Sequence, residues 1–180
     1  FASSNAFAVD RKLGWKKPAD LRGKAFIAAG SSPFFEPLLA EALGWDKMTF
    51  IPGMSGGERV LAMRRGEIQA CAGGPAQLQK DADLMLPIVV TTKDEKAFPG
   101  IPTAAESAVK GKEKWGRMAG AWDELLYWAY TTPGVPQDRA AFLESALQKV
   151  WSDPGFRADA AKLKADLSPH FIDSKELKSM

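Results

Sequence analysis

The sequence has little of what metal and redox chemistry require. Its 180 residues include one histidine and one cysteine, so it cannot form an internal disulfide and cannot supply a cysteine- or histidine-based metal site. It also lacks clustered carboxylates at metal-ligand spacing, so we expect no metal and no cofactor. The single thiol, Cys71, lies in an apolar segment, where a buried and inert side chain is expected.

Strong charge of one sign and long apolar segments are also missing. The formal net charge is +2, and the lysines and arginines form only short clusters, which argues against nucleic-acid binding. No apolar run approaches the ~20 residues that a transmembrane helix needs. Residues 1–10 do not have the basic start and apolar run of a signal peptide. The composition instead predicts an ordinary α/β chain with a globular core.

Strand-like and helix-like segments alternate along the chain. From residue 24 to residue 92 they follow a β-α-β-α-β-α-β order with short connections, which predicts a mostly parallel sheet flanked by helices. A short strand precedes this region, and a further strand and two amphipathic helices follow it. The predicted strands are residues 6–9, 24–29, 48–51, 67–72, 86–92 and 125–131, and the predicted helices are 33–43, 55–65, 76–83, 137–152 and 154–167.

Three of the predicted strand-to-helix turns are rich in small residues. In a parallel sheet such turns lie at the carboxyl ends of the strands, where ligands of α/β proteins bind. Glycine lets the backbone approach a ligand closely, and the N–H groups at a helix N-terminus favour an anion. Ordinary turns and helix caps would also explain these residues. The predicted ligand-binding residues are Gly30, Ser31, Ser32, Ser55, Gly56, Gly57, Gly73 and Gly74.

A serine hydrolase is the catalytic alternative. Residues 53–57 (GMSGG) match the G-x-S-x-G nucleophile pattern between a strand and a helix, and Asp123 or Asp153 precedes the only histidine, His170. Pro52 directly before the pattern and the lack of a His-Gly-Gly segment do not suit that enzyme class. We therefore expect no catalytic residue in this chain.

Several short motifs occur in a recognisable order. They are residues 17–21 (KPADL), 30–33 (GSSP), 50–57 (FIPGMSGG), 65–70 (RGEIQA), 98–106 (FPGIPTAAE) and 130–136 (YTTPGVP). In this order and spacing they resemble the Bug-type periplasmic substrate-binding proteins of tripartite tricarboxylate transporters, over about residues 6–167. Met54 and Ser55 depart from the family's pattern, which leaves the identity of the ligand open.

The resemblance implies a periplasmic-binding-protein-like (type II) fold of two α/β lobes. Such a protein binds a small carboxylate on backbone amides and small hydroxyls, without catalysis, and delivers it to membrane permease subunits. An effector-binding domain of a transcriptional regulator shares this architecture and is the alternative within the binding class.

The resemblance also divides the chain into three parts. Residues 1–17 are a crossing segment from the first lobe, residues 18–125 are the second lobe, and residues 126–180 are a return segment with helices of an incomplete first lobe. We therefore expect a fragment or proteolysed product of a longer secreted, periplasmic protein, monomeric when intact.

Overall fold

A computed structural model of the protein describes residues 5–30, 33–124, 129–162 and 171–179. The backbone forms two compact units, one comprising Ser4–Leu125 and the other comprising Phe1–Ser3 and Leu126–Met180. All strands of the described residues belong to Ser4–Leu125.

A five-stranded mixed sheet forms the centre of the Ser4–Leu125 unit, in the order β3-β2-β4-β1-β5. β2 pairs in parallel with β3 and β4, whereas β1 pairs antiparallel with both β4 and β5. The predicted common direction of β2 to β5 is therefore confirmed, but β1 separates β4 from β5. The strands are β1 (Ala6–Asp10), β2 (Phe26–Ala29), β3 (Met48–Ile51), β4 (Ala70–Gly73) and β5 (Met85–Val90).

β1 is the strand whose position the sequence does not reveal. Ala6 and Ala8 face one hydrophobic cluster, and Phe7 and Val9 face another on the opposite side of the sheet. A strand buried on both faces is a continuous apolar run without alternation, so its own pattern cannot place it in the sheet. Part of the segment interpreted as a crossing segment is therefore a central element of the core.

Helices cover both faces of the sheet. α1 (Phe35–Leu43) and α4 (Glu113–Glu124) pack together over one face. α2 (Gly56–Arg64) and the short α3 (Pro75–Lys80) cover the other face. The connections that enter α1, α2 and α3 all start at the same edge of the sheet, which is where the candidate site lies.

Trp45 is the largest fully buried side chain of this unit. Its ring centroid lies 4.7 Å from that of Phe7 and 5.8 Å from that of Phe26, and its Nε1–H donates to Pro18 O at 2.9 Å. The indole thus satisfies its one polar group inside an apolar cluster. Leu21 and Leu39 complete the same cluster.

Helix α4 lies between residues 92 and 125, where no helix or strand was predicted. Its glycines Gly116 and Gly120 lower helix propensity, but they allow neighbouring backbone to pack closely against the helix. A Cβ on Gly116 would lie 2.6 Å from Ala105 N, and one on Gly120 would lie 3.1 Å from Thr91 O. The helix therefore forms because tertiary contact with the neighbouring backbone outweighs local preference.

The Leu126–Met180 unit is helical in its described residues. It contains α5 (Gln137–Ser152), α6 (Pro154–Lys162) and α7 (Ser174–Ser179). α5 begins and ends where it was predicted, whereas residues 163–167 of the second predicted helix lie outside the described residues. Of the predicted strand 125–131, residues 125–128 also lie outside them, and residues 129–131 are irregular. No helix in the described parts of the chain has the length and apolar character needed to cross a bilayer.

Candidate functional site

The predicted glycine-rich turns converge on one edge of the sheet. β2, β3, β4 and β5 all end at this edge, and the antiparallel β1 begins there. The two loops after β2 and β3 are joined directly, because Gly30 N–H donates to Ile51 O and Met54 N–H donates to Gly30 O, both at 3.1 Å. The structure therefore brings the first two predicted turns into contact.

The N–H of Gly30, which was predicted to bind a ligand, is already used within the protein. Gly30 is buried, and its N–H is already bonded to Ile51, so that amide is not available to a ligand. The space where a side chain would stand is filled by the carboxyl of Glu36, whose Oε1 would lie 1.9 Å from a Cβ at residue 30. Gly30 is therefore a packing residue. Ser31 and Ser32 lie outside the described residues.

Helix α2 begins with a capping box at Ser55. Ser55 Oγ accepts the Glu58 N–H at 3.4 Å, and Glu58 Oε2 accepts the Ser55 N–H at 2.7 Å. Hydrogen bonding of the Glu58 carboxylate to the Ser55 side chain and to the Ser55 backbone N–H holds the pKa of Glu58 below its usual range. No described residue accepts the N–H groups of Gly56 and Gly57, the first two residues of the helix. Gly56 is half-buried and Gly57 is exposed, so these two amides are donors that a ligand anion at this edge can use.

The same hydrogen bonds bear on the hydrolase alternative. A nucleophile elbow holds its serine on a strained strand-to-helix turn, whereas Ser55 has ordinary extended backbone, with φ −65° and ψ 164°. Asp153 caps α6 by accepting the Phe156 N–H at 2.8 Å. His170 and the side chain of Asp123 lie outside what the structure describes. Ser55 therefore has the geometry of a helix cap.

Gln77 of α3 links the second and third turns. Its Nε2 donates to Gly56 O at 3.1 Å, and its Oε1 lies 3.7 Å from the position of a Cβ on Gly73. A Cβ on Gly74 would lie 3.6 Å from Asn5 Oδ1. Gln77 thus links Gly73 to the start of α2, and Gly74 lies beside Asn5. Sequence reasoning missed Gln77 and Asn5, because a lone amide side chain carries no signal in the pattern.

A buried cation lies behind the amides of α2. Arg59 is 9% exposed; its Nη1 donates to Ala72 O at 2.6 Å and its Nε donates to Ser55 O at 3.4 Å. Water screens a buried guanidinium only weakly, so its electrostatic attraction for a nearby negative charge is stronger than at the surface. It makes the start of α2 more favourable for an anion. Within the described residues, no group of three or more potential ligands could hold a metal ion.

Cys71 is buried on β4, as predicted. Burial, above all, raises the pKa of its thiol to about 12. The residue is therefore an uncharged, unreactive part of the core at neutral pH.

Comparison with known proteins supports the fold. No protein-family model and no curated protein matches the chain. Among solved structures, R. palustris Rpa4515 with adipate matches with a TM-score of 0.63 at 15% identity, over 98% of this chain and 60% of that one. A TctC solute-binding protein from Polaromonas, without ligand, matches with a TM-score of 0.59 at 14% identity, over 98% and 61%. The chain has a periplasmic-binding-protein fold.

A third match, described as a periplasmic transporter, gives a TM-score of 0.56 at 20% identity, over 86% of this chain and 53% of that one. The expected periplasmic-binding-protein-like fold is thus confirmed. The resemblance in sequence and the likeness in structure agree on this fold. The chain spans about 60% of the length of the first two of these structures.

Proposed function

We propose that the chain is the ligand-gripping part of an extracytoplasmic solute-binding protein. It binds a small carboxylate for delivery to a membrane transporter of the tripartite tricarboxylate type. The observation that most supports this is the pair of N–H groups of Gly56 and Gly57, which no described residue accepts, at the sheet edge of a periplasmic-binding-protein fold. The two oxygens of a carboxylate suit two adjacent donors of this kind.

The chemistry of this edge favours binding without turnover. The α2 N-terminus supplies a favourable dipole for negative charge, and Arg59 adds a cation behind it. The one serine with a nucleophile-like sequence, Ser55, is engaged as a cap by Glu58. In this proposal the protein acts as a receptor that binds its ligand without turnover, and the expectation that it needs no metal and no cofactor stays a prediction.

Periplasmic location and permease partners follow from the same class of protein. The two matches with the highest TM-scores given above are a protein solved with adipate and a TctC solute-binding protein. Linear dicarboxylates such as adipate are therefore the first ligands to test. In the proposed assembly, permease subunits of the transporter are the protein partners.

The decisive experiment removes one amide without removing the helix. Gly56→Pro deletes the N–H at the first helical position, where proline is well tolerated, and Ser55 already has the extended backbone that a residue before proline adopts. Gly56→Ala is the matched control, because it adds a Cβ near Gln77 as proline does but keeps the N–H. Thermal-shift titration with adipate and other carboxylates measures binding to the folded state.

The wild-type protein and Gly56→Ala should both gain melting temperature with a carboxylate, whereas Gly56→Pro should lose most of that gain. Equal shifts in all three proteins would rule out this amide as a ligand donor. A robust esterase activity that Ser55→Ala abolishes would instead establish the hydrolase and end the receptor proposal.

A further inference from the structure

Glu36 is a buried acid directly beneath the candidate site. It lies in the first turn of α1, is 1% exposed, and packs its carboxyl against Gly30. Its Oε2 has no hydrogen-bond partner among the residues that the structure describes. A buried carboxylate without a partner is costly, so the neutral acid is favoured unless neighbouring charge compensates. Such a group in the interior of a transport receptor needs an explanation beyond packing.

Two titratable groups from neighbouring elements face this carboxyl. Arg59 of α2 favours its charged form, yet that guanidinium donates to the carbonyls of Ala72 and Ser55. None of the ion pairs among the described residues joins it to Glu36. Cys71 of β4 is uncharged at neutral pH. Burial therefore dominates and raises the pKa of Glu36 to about 7, against the opposing effects of its own backbone N–H and of Arg59.

The carboxyl is also connected to the proposed ligand donors. Gly30, which packs against it, accepts the N–H of Met54, two residues before Gly56, whose own N–H no described residue accepts. Arg59 forms a second connection. Its positive charge favours the charged form of Glu36, and its Nε donates to the backbone carbonyl of Ser55 at the cap of α2. A negative ligand at that helix start therefore competes with a negative Glu36 for the same cation.

We propose that Glu36 is a positioning residue that couples carboxylate binding at this sheet edge to the uptake of a proton from solvent. The inference rests on the proposed function. Like charges disfavour one another, so an arriving carboxylate shifts Glu36 to its neutral form, and at most one proton is bound for each ligand. No other bond is made or broken. Affinity for the ligand then rises as the pH falls through the range in which Glu36 titrates.

Calorimetric titration with adipate tests the coupling in the whole chain. Titrations near pH 7, in two buffers of different ionisation enthalpy, give the number of protons taken up per ligand bound. The carboxyls of adipate, with an ordinary pKa of about 4, stay ionised there and add no proton of their own. The variant is Glu36→Gln, and the control is Glu41→Gln on the same helix, whose exposed carboxylate pairs with Lys112.

The wild-type protein and Glu41→Gln should take up part of a proton, and their affinity should fall by up to about tenfold between roughly pH 6.5 and 8.5. Glu36→Gln should take up none and should bind equally well across that range. Binding of adipate by the wild-type protein without proton uptake overturns the coupling and leaves the proposed function intact, whether or not the variant folds. Equal uptake by wild type and Glu36→Gln overturns it as well. Failure of every carboxylate to bind overturns both.

Discussion

The two units of the chain differ in how far their apolar side chains are buried. In Ser4–Leu125 the sheet has a buried hydrophobic cluster on each face. In the other unit, α5 has no buried residue, and its Phe142 is 72% exposed. Both regions show helical periodicity in sequence, but in α5 it does not coincide with burial. Periodicity therefore predicts that a helix forms, while stability comes from the surface against which it packs.

The largest expected effect tests this comparison directly with one aromatic residue from each unit. Trp45→Ala removes a fully buried indole that packs against Phe7 and Phe26, and it should lower the free energy of unfolding by about 4 kcal/mol. Phe142→Ala, on the exposed face of α5, should change it by less than about 0.5 kcal/mol. Urea unfolding monitored by far-ultraviolet circular dichroism, a signal that comes mainly from the backbone and not from tryptophan, measures both changes. Comparable losses would show that α5 is covered in solution.

The next largest effect concerns buried charge. Because the folded-state pKa of Glu36 is raised from 4.5 to about 7, its contribution to stability is fully present below pH 4.5 and is lost as the pH rises to about 7. The shift corresponds to an upper bound of roughly 3 kcal/mol in the free energy of unfolding. Glu36→Gln should remove this pH dependence.

The matched change in the other unit is Asp159→Asn. The side chain of Asp159 is 71% exposed and pairs with Lys162, and such pairs contribute little. The free energy of unfolding of Asp159→Asn should therefore depend on pH in the same way as that of the wild-type protein. A wild-type profile that is flat between about pH 5 and 7 would contradict the assignment of a raised pKa to Glu36.

Gly30→Ala should have an intermediate effect. The added methyl group would overlap the carboxyl of Glu36, so the loop or the acid must move, and we expect a loss of about 2 kcal/mol in the free energy of unfolding. At Gly57 a Cβ meets nothing within 4 Å, so Gly57→Ala should be close to neutral. Chemical denaturation of the two variants distinguishes packing at the first turn from open space at the second.

The sequence predicts the fold where local signals agree with the tertiary structure. β2, β4 and β5 are mainly apolar segments and β3 contains only one polar residue, Thr49; all four are followed by glycine, proline or a polar residue, and all of them form close to the predicted positions. β1 and α4 show the limit of this approach. The place of β1 depends on pairing with β4 and β5, and α4 depends on glycines that allow close backbone contact.

The candidate site is predictable as a set of turns but not as a set of donors. Glycine identifies each turn, yet only hydrogen bonds across the sheet edge decide which N–H groups remain free. Gly30 and Gly56 look equivalent in sequence. The N–H of Gly30 nevertheless donates to Ile51 O, whereas no described residue accepts the N–H of Gly56. Glu36 is missed because a charged residue in a helix is ordinarily solvated. The predicted ligand-binding residues therefore stay a proposal that the amide experiment tests.

The smallest expected effect separates capping from ligand binding. Ser55→Ala removes the oxygen that accepts the Glu58 N–H and should cost about 1 kcal/mol of unfolding free energy. Thr103→Ala is the matched control, because Thr103 and Glu106 form the same reciprocal pair in a turn that bridges to Val90 of β5 and starts no α-helix. Both variants should lose similar stability, but only Ser55→Ala should also weaken carboxylate binding, because its cap adjoins helix N–H groups that no described residue accepts. If Thr103→Ala weakened binding equally, the loss would reflect general destabilisation, and the start of α2 would have no special role.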